Sequence, residues 1–140
     1  MYNHDAEYRA ADLLVSGAAD DFIRMLPLCN QGVFDIFDQT FQRGMNGLNF
    51  ITIAAEWGII DAIRGLVRYG VDVDLPNIYG STPLMIALSM GQLDAADALL
   101  ELGANWRKRD YDGRGIAEYM ALGKQSNPYM DDWVYSHQWN

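Results

Sequence analysis

The 140-residue sequence has few residues suited to catalysis or metal binding. Its two histidines, His4 and His137, stand near opposite ends, and neither has a neighbour at a metal-ligand spacing. There is no Gly-x-x-x-x-Gly-Lys phosphate loop, and Gly113-Arg-Gly115 is too short for a dinucleotide fingerprint. Acid pairs such as Asp72/Asp74 have no base or metal ligand beside them. We therefore predict a protein that is not an enzyme and uses no cofactor or metal.

Cysteine and long apolar runs are also scarce. The single cysteine, Cys29, excludes an internal disulfide and is typical of a reducing compartment. It follows Leu26-Pro27-Leu28, which favours a half-buried small hydrophobe over a reactive thiol. No apolar run approaches the roughly 20 residues that cross a bilayer. Residues 1–5 lack the basic and apolar regions of a secretory signal, so we expect a cytoplasmic protein.

Positive charge is scarce as well. The 10 lysines and arginines are outnumbered by 19 aspartates and glutamates, which gives a net charge of −9. Nucleic acids and anionic membranes require the opposite sign, so neither is an expected partner. Residues 1–40 carry Arg9 and Arg24 against seven acids, which are Asp5, Glu7, Asp12, Asp20, Asp21, Asp35 and Asp38. These acids form either a solubilising surface or a face that attracts a basic partner.

The sequence is rich in internal similarity at an offset of 33 residues. Residues 47–58, GLNFITIAAEWG, superpose on residues 80–91, GSTPLMIALSMG. The same offset pairs Ala54 with Ala87, Asp61 with Asp94, Leu66 with Leu99, Gly70 with Gly103, Asn77 with Asp110 and Gly80 with Gly113. So many matches indicate a structural repeat whose units bury their apolar faces against one another.

The residues of one unit predict two helices. Thr82 is placed to cap a helix that begins at Pro83, where a missing N–H costs nothing. Its apolar side consists of Leu84, Ile86, Ala87 and Leu88. Gly91 suits the left-handed position that ends this helix. A second helix, ended by Gly103, carries Leu93, Ala96, Leu99 and Leu100 at helical spacing.

Residues 77–109, with Gly-Ser-Thr-Pro-Leu-Met at 80–85 and Leu-Leu-Glu-Leu-Gly-Ala at 99–104, resemble the ankyrin repeat. The family pattern is Gly-x-Thr-Pro-Leu-His, Ala-Ala, a helix-joining Gly, and Leu-Leu-x-x-Gly-Ala. Met85 stands in place of the His, so a hydrogen bond from that His to the Thr hydroxyl is absent. The resemblance implies an all-α solenoid of about four helix-turn-helix units with divergent terminal caps. The expected units are 1–43 with an insertion, 44–76, 77–109, and a capping unit 110–140.

Three segments depart from the regular repeat. Residues 5–29 indicate a divergent helix, turn and second helix. Residues 30–46 are too apolar for a free loop, and we expect a packed insertion or an extension of that second helix. Near the end, Asn127-Pro128 predicts a helix start, followed by one face that carries Met130, Trp133, Val134 and His137. This helix either seals the last unit or binds a partner.

The resemblance implies protein binding through the turn tips and the concave face made by the first helix of each unit. The family's variable surface positions fall at Met45, Asn46, Leu48, Glu56, Trp57, Ile78, Tyr79, Ser81, Ser89, Met90, Arg109, Tyr111, Asp112 and Arg114. Interface cores favour large aromatic and Met side chains. Trp57 and Met90 are therefore either partner contacts or core residues between units. Asp110 and Asp112 suit turn chemistry. The basic residues 107–109 with Arg114 form either a solvated loop or a contact for an acidic patch or phosphate.

Fold-level analogy suggests a particular kind of binding protein. A small, acidic, stand-alone ankyrin protein resembles bacterial immunity proteins, which neutralise a toxic enzyme by covering its active site. We therefore expect a monomeric inhibitor of another protein. A general adaptor or chaperone is the alternative among binding proteins, and a small hydrolase or ligand-binding protein is the alternative outside that class.

Overall fold

The computed structural model describes residues 5–27 and 49–139, and these ranges contain eight helices and no strand. The helices are α1 Asp5–Val15, α2 Ala19–Met25, α3 Phe50–Trp57, α4 Ile60–Arg68, α5 Pro83–Ser89, α6 Leu93–Glu101, α7 Ile116–Gly123 and α8 Met130–Tyr135. The predicted all-α architecture is confirmed for the described residues. Cys29, the segment 30–46 and the predicted partner residues Met45, Asn46 and Leu48 lie outside them.

The helices stack in two rows. Helices α1, α3, α5 and α7 contact one another in that order, and α2, α4 and α6 do the same. Each of the first three odd-numbered helices also contacts the even-numbered helix that follows it. Fully buried alanines such as Ala54 and Ala87 let neighbouring helices approach closely. The predicted helix-turn-helix stack is therefore present.

The helix ends explain why these residues form separate short helices. The Thr82 hydroxyl accepts a 3.3 Å hydrogen bond from the Met85 backbone N–H, and Pro83 is the first helical residue, as predicted. Gly91 follows the helix with a left-handed φ of +70°, also as predicted. In the preceding unit Asn49 replaces the Thr, and its side chain accepts from the Thr52 N–H at 3.1 Å.

Gly123 allows a close contact between α7 and α5. A β-carbon on Gly123 would overlap the backbone carbonyl of Leu88 and lie 2.7 Å from Cε of Met130. Gly123 stands 33 residues after Met90. The glycine therefore has no side chain where the preceding repeat has Met90. This allows α7 to pack directly on the backbone of α5.

The terminal segments behave as caps. At the N-terminal end, α1 and α2 form the predicted divergent pair, and Phe22 packs on Phe50 with ring centroids 5.7 Å apart. At the other end, α8 begins at Met130, so the predicted start at Asn127-Pro128 is wrong. The Asn127 side chain instead accepts from the Tyr129 N–H at 2.9 Å, which closes a turn before the helix.

Helix α8 packs against the third helix pair. The Trp133 indole N–H donates to Asp97 on α6 at 2.9 Å, and the His137 Nε2 lies 2.7 Å from the same oxygen. Met130 and Trp133 are buried, and Val134 is partly buried. The predicted apolar face is therefore turned towards the stack, and α8 seals it.

Candidate binding surface

The candidate binding surface, which we call the inner face, consists of the first helices α3, α5 and α7 together with two turn tips, residues 77–81 and 110–114. Each tip is organised by the side chain of its first residue. Asn77 Oδ1 accepts from the backbone N–H groups of Tyr79 and Ser81, both at 3.0 Å. The two tips are equivalent under the 33-residue repeat, because Asp110 occupies the position of Asn77.

The second tip has the same geometry with a carboxylate. Asp110 Oδ1 accepts from the N–H groups of Asp112 and Arg114, both at 2.9 Å. The predicted turn role of Asp110 is confirmed. The tips are also linked to each other, since the Tyr111 N–H donates to the Tyr79 carbonyl at 3.0 Å. The Tyr111 ring lies over Gly80, where a β-carbon would stand 2.5 Å from its Cδ1.

A buried chain of hydrogen bonds ties both tips to α7. The Tyr119 hydroxyl lies 2.7 Å from Asp110 Oδ2 and 2.7 Å from the Ser81 hydroxyl. An ionised carboxylate can only accept, so Tyr119 donates to Asp110 and Ser81 donates to Tyr119. The Arg114 Nε–H donates to the same carboxylate at 2.9 Å. These hydrogen bonds fix the positions of the two tips relative to α7.

The electrostatics of this chain of hydrogen bonds match its geometry. Burial opposes the charge of Asp110, but the donors Tyr119, Arg114 and the N–H of Asp112 outweigh burial and lower its pKa to about 2. Burial first, and then donation to Asp110, raises the pKa of Tyr119. Near neutral pH the pair is therefore a carboxylate and a neutral phenol, as the hydrogen bonds require.

A groove of about 410 Å3 opens above these hydrogen bonds, and we call it the tip groove. Its lining residues are Asn77, Tyr79, Ser81, Ile86, Ser89, Asp112, Arg114, Glu118, Tyr119 and Leu122. They come from both turn tips and from α5 and α7, so the structure brings four separate segments of the inner face together. The volume falls in the range typical of ligand-binding clefts.

Large apolar side chains are exposed at the predicted contact positions. The exposed fractions are 54% for Trp57, 42% for Ile78, 47% for Tyr79, 44% for Met90 and 74% for Tyr111. Trp57 and Met90 are thus surface residues, and the alternative of a core role between units does not hold. Ser89 is partly exposed, but its hydroxyl donates to the Ile86 carbonyl at 2.8 Å.

One residue predicted to lie on the surface is buried, and the prediction omits several residues that line the tip groove. Ser81 is only 4% exposed because its hydroxyl is turned inward to Tyr119. Conversely, Leu122 is 58% exposed on α7 and lines the tip groove. The 33-residue offset from Ser89 is the sequence signal that points to it. Ile86 and Glu118 line the same groove and are likewise absent from the predicted set.

Glu56, another predicted contact, lies at the end of α3 next to Trp57. It is partly buried, and burial raises the pKa of its carboxyl group. Within the described part of the chain no donor or cation meets this carboxylate. A partner cation placed there would relieve the cost of its partial burial.

The basic residues 107–109 form what we call the basic loop. The Arg107 guanidinium lies 5.0 Å from the centre of the Trp106 ring, and Arg109 Nη1 donates to the Gly113 carbonyl at 2.8 Å. This loop and the start of α7 line a separate, smaller groove of about 270 Å3. Arg114 points elsewhere, because its guanidinium pairs with Asp110 and Asp112.

Metal-binding clusters and membrane-spanning helices are both absent from the described residues. No three His, Cys, Asp or Glu side chains of residues 5–27 and 49–139 cluster where they could hold a metal ion. None of the helices in these ranges combines the length and apolar character needed to span a membrane.

Comparison with known proteins identifies the class of this fold. The family model of ankyrin repeats, in three copies, matches residues 9–110. The chain therefore belongs to the ankyrin-repeat family, as the sequence resemblance indicated. The third matched copy ends at the tip residue Asp110, so α7 and α8 lie beyond the matched region. The family defines a module for interaction with other proteins.

Two relatives illustrate how this module is used within longer chains. The phosphocholine transferase AnkX of Legionella pneumophila is 33% identical over 76 residues, which is 54% of this chain and 8% of AnkX. The ankyrin repeat domain-containing protein oryK of Aspergillus oryzae is 51% identical over 51 residues, which is 36% of this chain and 8% of oryK. Each match spans only a small part of the relative's own length.

Proposed function

We propose that this chain is a non-catalytic binding module whose inner face holds and neutralises a partner protein. The observation that carries this proposal is the set of five large apolar side chains that stand exposed at the turn tips and at the ends of α3 and α5, while buried hydrogen bonds tie the two tips to α7. Apolar anchors on a pre-ordered surface bind with little loss of conformational freedom. Helix α8 covers the end of the stack through its contacts with Asp97 of α6.

The partner we propose has a basic surface. The net charge of the chain is −9, and the inner face carries Glu56, Asp112 and Glu118, whereas its cation Arg114 is already paired. Such a surface repels nucleic acids and anionic membranes and attracts a basic protein. We propose a monomer that acts in the cytoplasm, on the ground that the single cysteine of the sequence fits a reducing compartment.

The proposal is tested by capture from the native host. The tagged chain and a Trp57→Ala/Tyr79→Ala variant are incubated with host lysate, and bound proteins are identified by mass spectrometry. A matched control, Tyr129→Ala/Tyr135→Ala, removes two exposed rings from the α8 region. We expect a basic protein that is captured by the unchanged chain and the control but not by the first variant.

The inhibitory part of the proposal needs a second readout. The activity of the captured protein is measured with increasing amounts of this chain. Loss of activity at a one-to-one ratio supports an inhibitor or immunity role, and unchanged activity in the complex supports an adaptor instead. Equal capture by all three proteins would contradict binding through the inner face.

A further inference from the structure

The tip groove has apolar walls. They consist of Tyr79 from the first tip, Ile86 of α5, which is partly exposed, and Leu122 of α7, which is 58% exposed. Leu122 remains exposed although the neighbouring Gly123 packs directly on the backbone of α5. Exposed aliphatic side chains that line a groove favour an apolar side chain of a ligand.

The floor of the groove is polar but largely satisfied. The hydroxyls of Ser81 and Tyr119 bond each other, and Tyr119 donates to Asp110. The exception is Asn77, which is 5% exposed. Its oxygen accepts from two backbone N–H groups, which fixes the identity of the amide atoms, and its Nδ2 has no acceptor within the described residues. This amide can donate to a backbone carbonyl of an extended ligand segment.

The charges at the rim are acidic. Arg114 is neutralised by the buried Asp110, whose carboxylate it contacts at 2.9 Å, so Asp112 and Glu118 leave the groove with a net negative charge. Among the described residues, Asp112 accepts only from Nη2 of the same guanidinium, and its side chain is 73% exposed. The basic loop lines the separate groove, which shares Glu118 with this one, and none of the loop's cations lines the tip groove.

We infer that the tip groove binds an extended segment of the partner in which a lysine or arginine stands next to a large apolar residue, an inference that rests on the proposed protein-binding function. The apolar residue lies against Ile86 and Leu122, the cation reaches Asp112 and Glu118, and a backbone carbonyl of the segment accepts from Asn77. The acidic rim favours a positively charged residue in the ligand, and the apolar walls favour a large apolar residue next to it.

The inference is tested with peptides, which do not require the natural partner. A phage-displayed library of random peptides is selected on the immobilised full chain, and the strongest peptide is synthesised. Its Kd is measured by calorimetry on the unchanged chain and on three variants, Asp112→Asn/Glu118→Gln, Leu122→Ala and Asn77→Asp. The Gln at 118 can still accept from the Gly115 N–H, as Glu118 does at 2.9 Å. Asp at 77 keeps the turn acceptors, as Asp110 does in the next unit.

We expect selected peptides that pair a lysine or arginine with a large apolar residue. Loss of the two rim charges should weaken binding roughly tenfold, and Leu122→Ala should weaken it about fivefold. Asn77→Asp should weaken binding although it adds a negative charge. The matched control Asp94→Asn/Glu101→Gln removes two acids from α6 and should change Kd by less than about twofold.

Several results would overturn the inference. These are a selection that yields no binding peptide, an acidic or uncharged consensus, and an equal loss of affinity in the α6 control. If a captured host protein loses affinity with Trp57→Ala but is unaffected by the tip-groove variants, the proposed function stands and the groove inference fails. Circular dichroism of each variant shows whether it remains folded.

Discussion

The hydroxyl of Tyr119 donates a 2.7 Å hydrogen bond to the buried carboxylate of Asp110, and the same hydroxyl accepts from Ser81 of the preceding tip. One phenol thus connects two successive repeats at the base of the candidate binding surface. The contact between Ser81 and Tyr119 joins residues 38 positions apart in the sequence. The shape of the tip groove therefore depends on the hydrogen bonds of Tyr119, whose contribution to the free energy of unfolding can be measured.

The first prediction is that Tyr119→Phe destabilises the protein by about 1–3 kcal/mol, because it leaves the buried Ser81 hydroxyl and Asp110 carboxylate short of a partner. The free energy of unfolding is measured in urea at neutral pH. Tyr129→Phe, at a ring that is 67% exposed, is the control and should have little effect. Equal stability of Tyr119→Phe and the unchanged chain would mean that the buried chain of hydrogen bonds is not formed.

The pH dependence gives a second prediction about Asp110. Its pKa of about 2 lies below the usual value of 3.8, so its stabilising contribution is present above that usual value and is lost as pH falls towards 2. Tyr119→Phe removes a donor and should raise the pKa of Asp110. The loss of stability between pH 3.8 and pH 2 should therefore be smaller in the variant and complete at a higher pH, as followed by urea midpoints across a pH series. Parallel curves would contradict this role of Tyr119.

The third prediction compares two glycines with left-handed backbone. Gly91→Val should cost about 1–3 kcal/mol or more, since φ of +70° strains a β-branched residue and its β-carbon would stand 2.8 Å from Cβ of Asn127. Gly103 has φ of +99° with no atom within 4 Å of an added β-carbon. Gly103→Val should therefore cost less. Equal urea midpoints for the two variants would mean that the contact with Asn127 adds nothing.

The fourth prediction concerns the seal at the end of the stack. Asp97→Ala leaves the Trp133 indole N–H without its acceptor and removes the oxygen next to His137 Nε2. Amide exchange in α8 should accelerate far more than exchange in α3, because a terminal element opens locally. Asp94→Ala, in the first turn of the same helix α6, should leave the exchange of α8 unchanged. Uniform acceleration in both helices would mean that α8 does not open independently.

The periodic features of this chain are predictable from sequence because they repeat. Thr82, Pro83 and Gly91 carry their roles locally, so the caps of α5 follow from residue type alone. Asn49 works in place of a Thr because a short polar side chain can reach the same backbone N–H.

The features that sequence reasoning does not predict depend on distant contacts. Ser81 is buried against the hydroxyl of Tyr119, which lies 38 residues later in the sequence, and no local sequence pattern indicates that contact. The sequence pattern places the start of α8 too early, because Asn127 closes a turn with Tyr129 and does not cap a helix. Leu122 lines the groove because of the way α7 packs on α5, which brings it into one lining with Ile86.

The fifth prediction separates the effect of the N-terminal acids on the association rate from the effect of the aromatic contacts on the dissociation rate. Neutralising Asp20, Asp21, Asp35 and Asp38 together should slow association with a basic partner and flatten the salt dependence of the association rate, while the dissociation rate changes little. Asp20 and Asp21 are exposed in the first turn of α2, and Asp35 and Asp38 lie outside the described residues. Association rates measured at two salt concentrations test this. An unchanged association rate at low salt would mean that these acids serve solubility alone.

The central claim, that the inner face binds a protein, is tested most directly by the affinity of the captured partner for Trp57→Ala. Trp57 is 54% exposed, so its truncation should leave the thermal midpoint nearly unchanged. Loss of an aromatic anchor should cost about 2 kcal/mol, which is roughly a thirtyfold increase in Kd, and Tyr79→Ala should weaken binding to a similar extent. If Trp57→Ala unfolds the protein but the folded fraction binds with unchanged affinity, Trp57 is a structural residue and the binding surface lies elsewhere.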